Sequence, residues 1–148
     1  MKFPYSSYEV EPTAAHADVS VVYRPVIPFR GIGKTDVAVF YGLLDTGADE
    51  TVLPQAIADL IGVVVDPTQT SVATSASGEL PIVYGKVTLE IGKGKGRYRW
   101  QATVGVVNQP WQEAILGHAG FLHYFNAVFS WSKREVRLTR NDIALPAG

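Results

Sequence analysis

Short runs of β-branched and aromatic residues follow one another along most of the chain, and this succession restricts the fold more than any other feature. Runs of this composition between turn residues predict strands. They cover residues 19–29, 36–44, 61–66, 68–74, 80–91, 96–107 and 125–139. The chain has 148 residues, the length of one domain. Many short strands with little helix predict an all-β protein, in the form of a small closed barrel.

Two segments predict short helices. PQAIADLIG, residues 54–62, carries apolar residues at helical spacing, and we place Pro54 at the first helical position and the end of the helix at Gly62. A second brief helix is predicted over 118–123. Residues 1–18 show no clear periodicity. We therefore predict an N-terminal arm over 1–18 and a folded domain that follows it.

The composition argues against several classes of function. A formal net charge of −1 gives no electrostatic reason to expect nucleic acid or an acidic membrane as partner. The chain has no cysteine, which excludes disulfides and thiolate metal sites. The N-terminal residues lack the apolar region of a signal peptide, and no apolar run reaches the length of a membrane span. We expect a soluble, cytoplasmic protein.

Three motifs suggest other chemistry at first sight. GIGKT at 31–35 ends like a phosphate-binding loop, but Pro28 stands where that loop requires glycine. KGKGRYR at 93–99 could contact nucleic acid, although alternating Gly and Lys between two strands is more typical of a solvated hairpin, which we predict. His118 and His123 lie five residues apart, a poor spacing for two ligands on one helical face. We predict no metal site.

The segment LLDTGADETVLP, residues 43–54, places Asp45, Thr46 and Gly47 directly after an apolar strand. One interpretation is a simple turn, in which Asp45 accepts hydrogen bonds from backbone amides and Gly47 supplies a positive φ. The other is an active site, since a carboxylate at a strand end is available for acid–base chemistry. The sequence Asp-Thr-Gly-Ala at 45–48, taken alone, leaves both interpretations open.

This segment resembles the active-site segment of the retropepsins, the single-lobe aspartic proteases of retroviruses and their cellular and bacterial relatives. In that family two apolar residues precede Asp-Thr/Ser-Gly-Ala, and an apolar β-segment follows. A second likeness lies in AILGHAGFLHYFNAVFSW, residues 114–131, where Ile115, Leu116 and Gly117 match the apolar pair and glycine that precede a short helix. The resemblance covers residues 19–139 and is greatest to compact bacterial retropepsin-like proteins.

The resemblance implies a retropepsin-type barrel with a flap hairpin and one lobe per chain, formed by residues 19–148. The arm 1–18 could then lie at a dimer interface. Asp45 is expected to be catalytic. Because the chemistry needs two neighbouring carboxylates and the chain has one Asp-Thr-Gly, the second must come from another copy. The expected function is a homodimeric aspartic endopeptidase that cleaves peptides or proteins with an activated water and needs no cofactor.

The resemblance also assigns the remaining site residues. Thr46, Gly47 and Ala48 are expected to support the catalytic turn, and so are Ile115, Leu116, Gly117 and His118. The expected substrate-binding residues, which include a flap tip over 73–78, are Gly47, Asp49, Ala73, Thr74, Ser75, Ala76, Ser77, Gly78 and Trp111.

One departure from the family concerns an ion pair. Retropepsins commonly carry Arg after the apolar-Gly element, paired with the carboxylate two residues beyond the catalytic glycine. The corresponding residues here are His118 and Asp49. A brace between these two side chains would differ from the Arg pair in strength and pH dependence.

Two other hypotheses compete with the enzyme. The same fold could serve as a non-catalytic peptide-binding or assembly module, because a fold does not by itself imply chemistry. An intact Asp45-Thr46-Gly47 favours the enzyme, since a pure binder needs no ionisable pair. An unrelated β-barrel with a chance Asp-Thr-Gly-Ala would require the match at 114–131 to be accidental as well.

Overall fold

A computed structural model describes residues 1–75 and 78–147, and most of the regular structure in these ranges is β. One α-helix, α1, spans Gln55–Ile61, and short 3₁₀ turns span Gly94–Gly96 and Leu122–Tyr124. The strands are Lys2–Pro4 (β1), Ser6–Glu9 (β2), Val21–Arg24 (β3), Val26–Ile32 (β4), Val37–Leu44 (β5), Val52–Pro54 (β6), Val64–Ser75 (β7), Gly78–Ile91 (β8), Tyr98–Val107 (β9), Ala114–Leu116 (β10), Phe125–Ser130 (β11) and Glu135–Arg140 (β12).

Six strands close into a ring in the order β4, β5, β10, β6, β9 and β8, because β8 pairs with β4 as well as with β9. Within this ring β10 runs parallel to β5 and antiparallel to β6. Strand β7 continues the sheet as a hairpin with β8. The predicted all-β fold with a small closed barrel is confirmed.

The barrel is filled by one large apolar cluster. Burial alternates along β9 from Tyr98 to Val104, as the pleat of a strand requires, and the remaining residues of the strand are all buried. Trp100 of this strand is fully buried, and its indole Nε1–H donates to the carbonyl oxygen of Gly120 at 2.8 Å. Its ring lies 5.6 Å from the ring of Phe121 in an edge-to-face arrangement. The core therefore reaches directly to the segment that follows β10.

The N-terminal residues form strands, so the prediction that regular structure starts near Val19 is wrong. Strand β1 pairs with β12, where Phe3 lies opposite Val136, and β2 pairs with β3. Phe3 and Tyr5 pack against the core cluster. Strands of three and four residues are too short to display a clear period in the sequence. The predicted strand over 19–29 is in fact divided between β3 and β4.

The two predicted helices also differ from the structure. Pro54 is the last residue of β6 and the N-cap of α1, with an extended ψ of 145°, so it is not the first helical residue. Gly62 ends the helix in the left-handed region at φ 72°, as a C-terminal glycine commonly does. Of the second predicted helix over 118–123, only the 3₁₀ turn at Leu122–Tyr124 forms. No helix in the described ranges is both long and apolar enough to cross a membrane.

The two strands predicted over 61–66 and 68–74 form a single strand, β7, with a register shift between Asp66 and Thr70. Asp66 Oδ1 accepts hydrogen bonds from the hydroxyl and the backbone N–H of Thr68, and these bonds lower the pKa of Asp66. This local turn bends an outer strand of the sheet. The hairpin predicted over 93–99 is confirmed, because it joins the paired strands β8 and β9.

Candidate functional site

Asp45 lies immediately after β5, beside the end of β10. In the parallel pairing of these strands Leu43 lies opposite Ile115, and Leu44 opposite Leu116. The backbone N–H of Asp45 donates to the carbonyl oxygen of Leu116 at 3.2 Å. The two segments on which the resemblance rests are therefore direct neighbours in the barrel.

The turn that follows Asp45 fixes the position of its carboxylate through a backbone hydrogen bond. The backbone N–H of Gly47 donates to Asp45 Oδ1 at 2.8 Å, and the N–H of Ala48 lies 3.3 Å from the Asp45 carbonyl oxygen. Asp45 is half-buried, whereas Thr46 and Gly47 are exposed. The positive φ predicted for Gly47 is wrong. Glycine is suited to this position for another reason, since a Cβ there would lie 3.2 Å from the Asp45 carboxylate.

The segment after β10 packs against the same turn, backbone to backbone. The N–H of His118 donates to the carbonyl oxygen of Ala48 at 2.9 Å. A Cβ on Gly117 would lie 2.3 Å from the carbonyl oxygen of Glu50 and 2.7 Å from that of Ala48, which is closer than real atoms approach. Glycine at position 117 is therefore a steric requirement of this packing.

The imidazole of His118 binds the turn as well. Its Nε2 lies 2.9 Å from the carbonyl oxygen of Thr46, and because a carbonyl only accepts, Nε2 carries the hydrogen and donates. The expected partner was the Asp49 side chain. Asp49 is instead joined to this segment through its backbone, since its carbonyl oxygen accepts from the N–H of Ala119 at 2.8 Å. Imidazole is shorter than the side chain of Arg, and here it bonds to the nearer carbonyl group.

A cavity of about 300 Å³ is lined by residues of β5 and β10, the strands that end at this site, and Asp45 is not among its lining residues. Leu43 and Ile115 line it from β5 and β10, and Trp111 forms part of its wall with 37% of its surface exposed. Leu43 lies two residues before Asp45 in the sequence. The structure thus brings Trp111 and Ile115, both predicted site residues, to one concave surface.

Three polar residues also line the same cavity: Tyr8, Arg24 and Glu113. Of these, Tyr8 and Arg24 were not predicted from the sequence. The Tyr8 hydroxyl donates to Glu113 Oε1 at 3.0 Å, and the Arg24 guanidinium lies 4.9 Å from the centre of the Tyr8 ring. Burial and then the bond to Glu113 raise the pKa of Tyr8. Strand β2 has only four residues, so no pattern in the sequence indicated Tyr8.

The β7–β8 hairpin carries the residues predicted as a flap tip. Ala73 is half-buried and packs with Val52 and Ile82, while Thr74 is exposed. Ser75 pairs with Gly78, which has a φ of 117°. The predicted tip residues Ala76 and Ser77 lie outside the described residues.

A hydrogen-bonded chain links this hairpin to the segment after Asp45. The Tyr84 hydroxyl donates to Glu50 Oε2 at 2.6 Å and lies 2.7 Å from the Ser71 hydroxyl oxygen. Burial and then the bond to Glu50 raise the pKa of Tyr84. These contacts join residues 34 and 13 positions apart, and no pattern in the sequence indicated them. Across residues 1–75 and 78–147, no three His, Asp or Glu side chains are grouped so that they could hold a metal ion.

Comparison with known proteins gives matches at the level of structure. No family model matches the sequence, and no curated protein matches it. EIAV protease in complex with the inhibitor HBY-793 is similar to 64% of this chain over 82% of its own length, with 23% identity and a TM-score of 0.48. A retropepsin-like aspartic protease from Rickettsia conorii is similar to 88% of this chain over 97% of its own length, with 16% identity and a TM-score of 0.51. Together with the all-β barrel, this likeness identifies the chain as having a retropepsin-like fold.

Proposed function

We propose that the protein is an aspartic endopeptidase that works as a homodimer. The observation that carries the proposal is the position of Asp45, whose carboxylate accepts a hydrogen bond from the Gly47 amide at the end of β5, two residues after Leu43, which lines a cavity. Acid–base hydrolysis of a peptide bond by carboxylates needs two of them in close proximity. The chain has one Asp-Thr-Gly, so the partner subunit's Asp45 is the second group.

The chemistry then follows from a shared proton. One carboxylate takes a proton from water as the water oxygen bonds to the peptide carbonyl carbon, and the other, protonated, donates to the carbonyl oxygen. The tetrahedral intermediate collapses when its C–N bond breaks and the nitrogen receives a proton, which leaves a carboxylic acid and an amine. Thr46 is exposed, so its hydroxyl is available to bond to the opposite turn of the dimer.

The free edge of β11 supports the assembly of two copies. In the described part of the chain β11 pairs with β12 on one side and with no strand on the other. Val128 and Phe129 of this strand are 60% and 39% exposed. An open strand edge with exposed apolar side chains is a template for pairing with another chain. We infer that β11 pairs with its counterpart in the dimer.

The proposed substrate is an extended peptide segment. Leu43, Ile115 and Trp111 would receive its side chains in the cavity that they line, and the β7–β8 hairpin would close over it as a flap. Main-chain hydrogen bonds give such a ligand affinity, and pockets for alternate side chains give specificity. The hydrogen bond from Tyr84 to Glu50 would fix the distance between this hairpin and the segment after Asp45.

The test is digestion of a mixed peptide library, read by mass spectrometry. We expect the parent protein to cut and Asp45→Asn, an isosteric change, to be inactive while its circular dichroism and thermal unfolding stay the same. Asp142→Asn, a remote exposed position, is the matched control and should cut like the parent. Equal cleavage by Asp45→Asn would refute the aspartic mechanism. A parent that binds library peptides without cutting them would favour the peptide-binding module.

A further inference from the structure

A second and larger concave surface lies on the barrel away from Asp45. It has a volume of about 760 Å³ and is formed by β1, β4, β5 and the β8–β9 turn. We call it the basic groove and define it by the cations Lys2, Arg30, Lys93 and Arg97 and by the apolar residues Phe3 and Val39. Val39 of β5 lies six residues before Asp45, which corresponds to about 20 Å along an extended chain. The basic groove is thus separate from the proposed cleavage site.

The charges in the basic groove are unbalanced. Four cations line it, and the single carboxylate among the lining residues is that of Glu90. Glu90 is 5% exposed and lies 3.0 Å from Arg30 Nη1 and 3.8 Å from Arg97 Nη1. Two guanidinium groups, each about half exposed, therefore share one buried carboxylate as their ion-pair partner. Outside the lining, Glu135 Oε1 lies 3.8 Å from Lys2 Nζ. Four cations thus face two carboxylates, and an excess of positive charge remains at this surface, although the whole chain carries a net charge of −1.

An apolar strip continues from the basic groove along the outer face of β5. Val37, Val39 and Tyr41 alternate along the strand and are 41%, 60% and 55% exposed. Pro28 of β4 lies opposite Tyr41 and is exposed as well. Strand β4 pairs with β5 over residues 37–43, whereas β10 pairs only with residues 42–44. The strip itself consists of exposed side chains, and these are the groups that we expect a partner to contact.

We propose that the basic groove and this strip bind an acidic polypeptide segment that carries aliphatic side chains. Charge complementarity selects acidic residues for the cationic end, and the valines select Leu, Ile or Val for the strip. The strip extends over about 14 Å from Val37 to Tyr41, which suits a polypeptide segment better than one small anion. This function is independent of the cleavage reaction.

The test uses fluorescence anisotropy with a labelled peptide of alternating Glu and Leu and the Asp45→Asn protein, which rules out cleavage of the probe. We expect binding that weakens with added salt. Lys93→Glu should raise Kd about tenfold, because it reverses one groove charge, whereas Lys133→Glu makes the same change on a remote turn and should leave Kd within about twofold. Val39→Ser should weaken binding about threefold or more, and Val64→Ser, an equally exposed valine on β7, should not.

Four outcomes of the binding measurements would overturn the proposal. The first is a Kd for the acidic peptide above about 1 mM, and the second is an equal effect of the groove variants and their controls. The third is tighter binding of a matched Lys–Leu peptide. The fourth is tighter binding of an oligothymidylate or of phosphatidylserine vesicles, provided that Lys93→Glu abolishes that binding. Sedimentation of the same variants tests whether a second copy of the chain occupies the basic groove. If Lys93→Glu and Val39→Ser both turn a parent dimer into monomers, the basic groove holds a second copy of the chain and the proposed ligand is wrong.

Discussion

The ring of His118 donates a hydrogen bond from Nε2 to the carbonyl oxygen of Thr46, across 72 positions of sequence. The backbone N–H of the same residue bonds to Ala48. His118 thus holds the turn after β5 at two points, one on each side of Gly47. The position of the Asp45 carboxylate depends on a residue that follows a different strand.

Loss of this side chain is expected to loosen the turn. His118→Ala should lower the free energy of unfolding by about 1 kcal/mol, the usual contribution of one hydrogen bond. His118→Gln can still donate and should recover part of the loss. Urea unfolding measures both. His123→Ala is the control, because His123 is exposed and lies outside the turn, and a similar loss in both alanine variants would contradict the role of the His118 ring.

Gly117 has no space for a side chain. We expect Gly117→Ala to lower the free energy of unfolding by about 2 kcal/mol or more, since its methyl group would overlap the carbonyl oxygens of Glu50 and Ala48. Gly96→Ala is the matched control, because no atom lies within 4 Å of a Cβ there. Chemical unfolding of the two variants gives the comparison. A Gly117→Ala protein as stable as the control would show that the turn can move aside at little cost.

The Tyr84–Glu50 bond should couple the hairpin to the segment after Asp45. A double-mutant cycle of Tyr84→Phe and Glu50→Gln is expected to give a coupling free energy of about 1 kcal/mol, because the bond has a charged acceptor but both side chains are only half-buried. Tyr41→Phe removes an exposed hydroxyl elsewhere and should be neutral. Additivity of the two changes within experimental error would mean that the contact contributes nothing to folding.

The raised pKa of Tyr84 predicts a loss of stability at alkaline pH. The folded protein holds the phenolic proton more tightly than the unfolded chain does, so stability falls as the pH rises from the ordinary tyrosine value of 10.0 through the raised folded value. Tyr84→Phe should therefore lose less stability than the parent between about pH 8 and pH 11. Unfolding in urea at both pH values measures this. A loss equal to that of the parent would assign the alkaline effect to other groups, such as Tyr8.

A charge on the open edge of β11 should weaken the proposed dimer. Val128→Glu is expected to raise the dimer Kd at least about tenfold, because charged residues oppose edge-to-edge pairing of strands. Activity per chain should then fall on dilution at higher protein concentrations than in the parent. Sedimentation equilibrium gives the Kd, and Val64→Glu, at a similarly exposed valine on β7, is the control. An unchanged dimer in Val128→Glu would exclude β11 from the interface.

The sequence by itself determined the elements whose signal is local. Runs of β-branched and aromatic residues predicted strands over 36–44 and 96–107, which the structure forms as Val37–Leu44 and Tyr98–Val107, and Gly62 marked the end of α1 correctly. The two segments that resemble the retropepsins, 43–54 and 114–131, predicted the retropepsin-like barrel. Each is a short motif of neighbouring residues, so it can be recognised without knowledge of the fold.

Only the tertiary structure decided the rest. The strand at Lys2–Pro4 is too short to have a period of its own and forms because β12, more than 130 residues away, supplies its hydrogen bonds. The ring of His118 could reach Asp49 or Thr46, and the backbone path after β10 brings it to Thr46. Pairing over long separations depends on where the whole chain places each group, and no window of sequence contains that information.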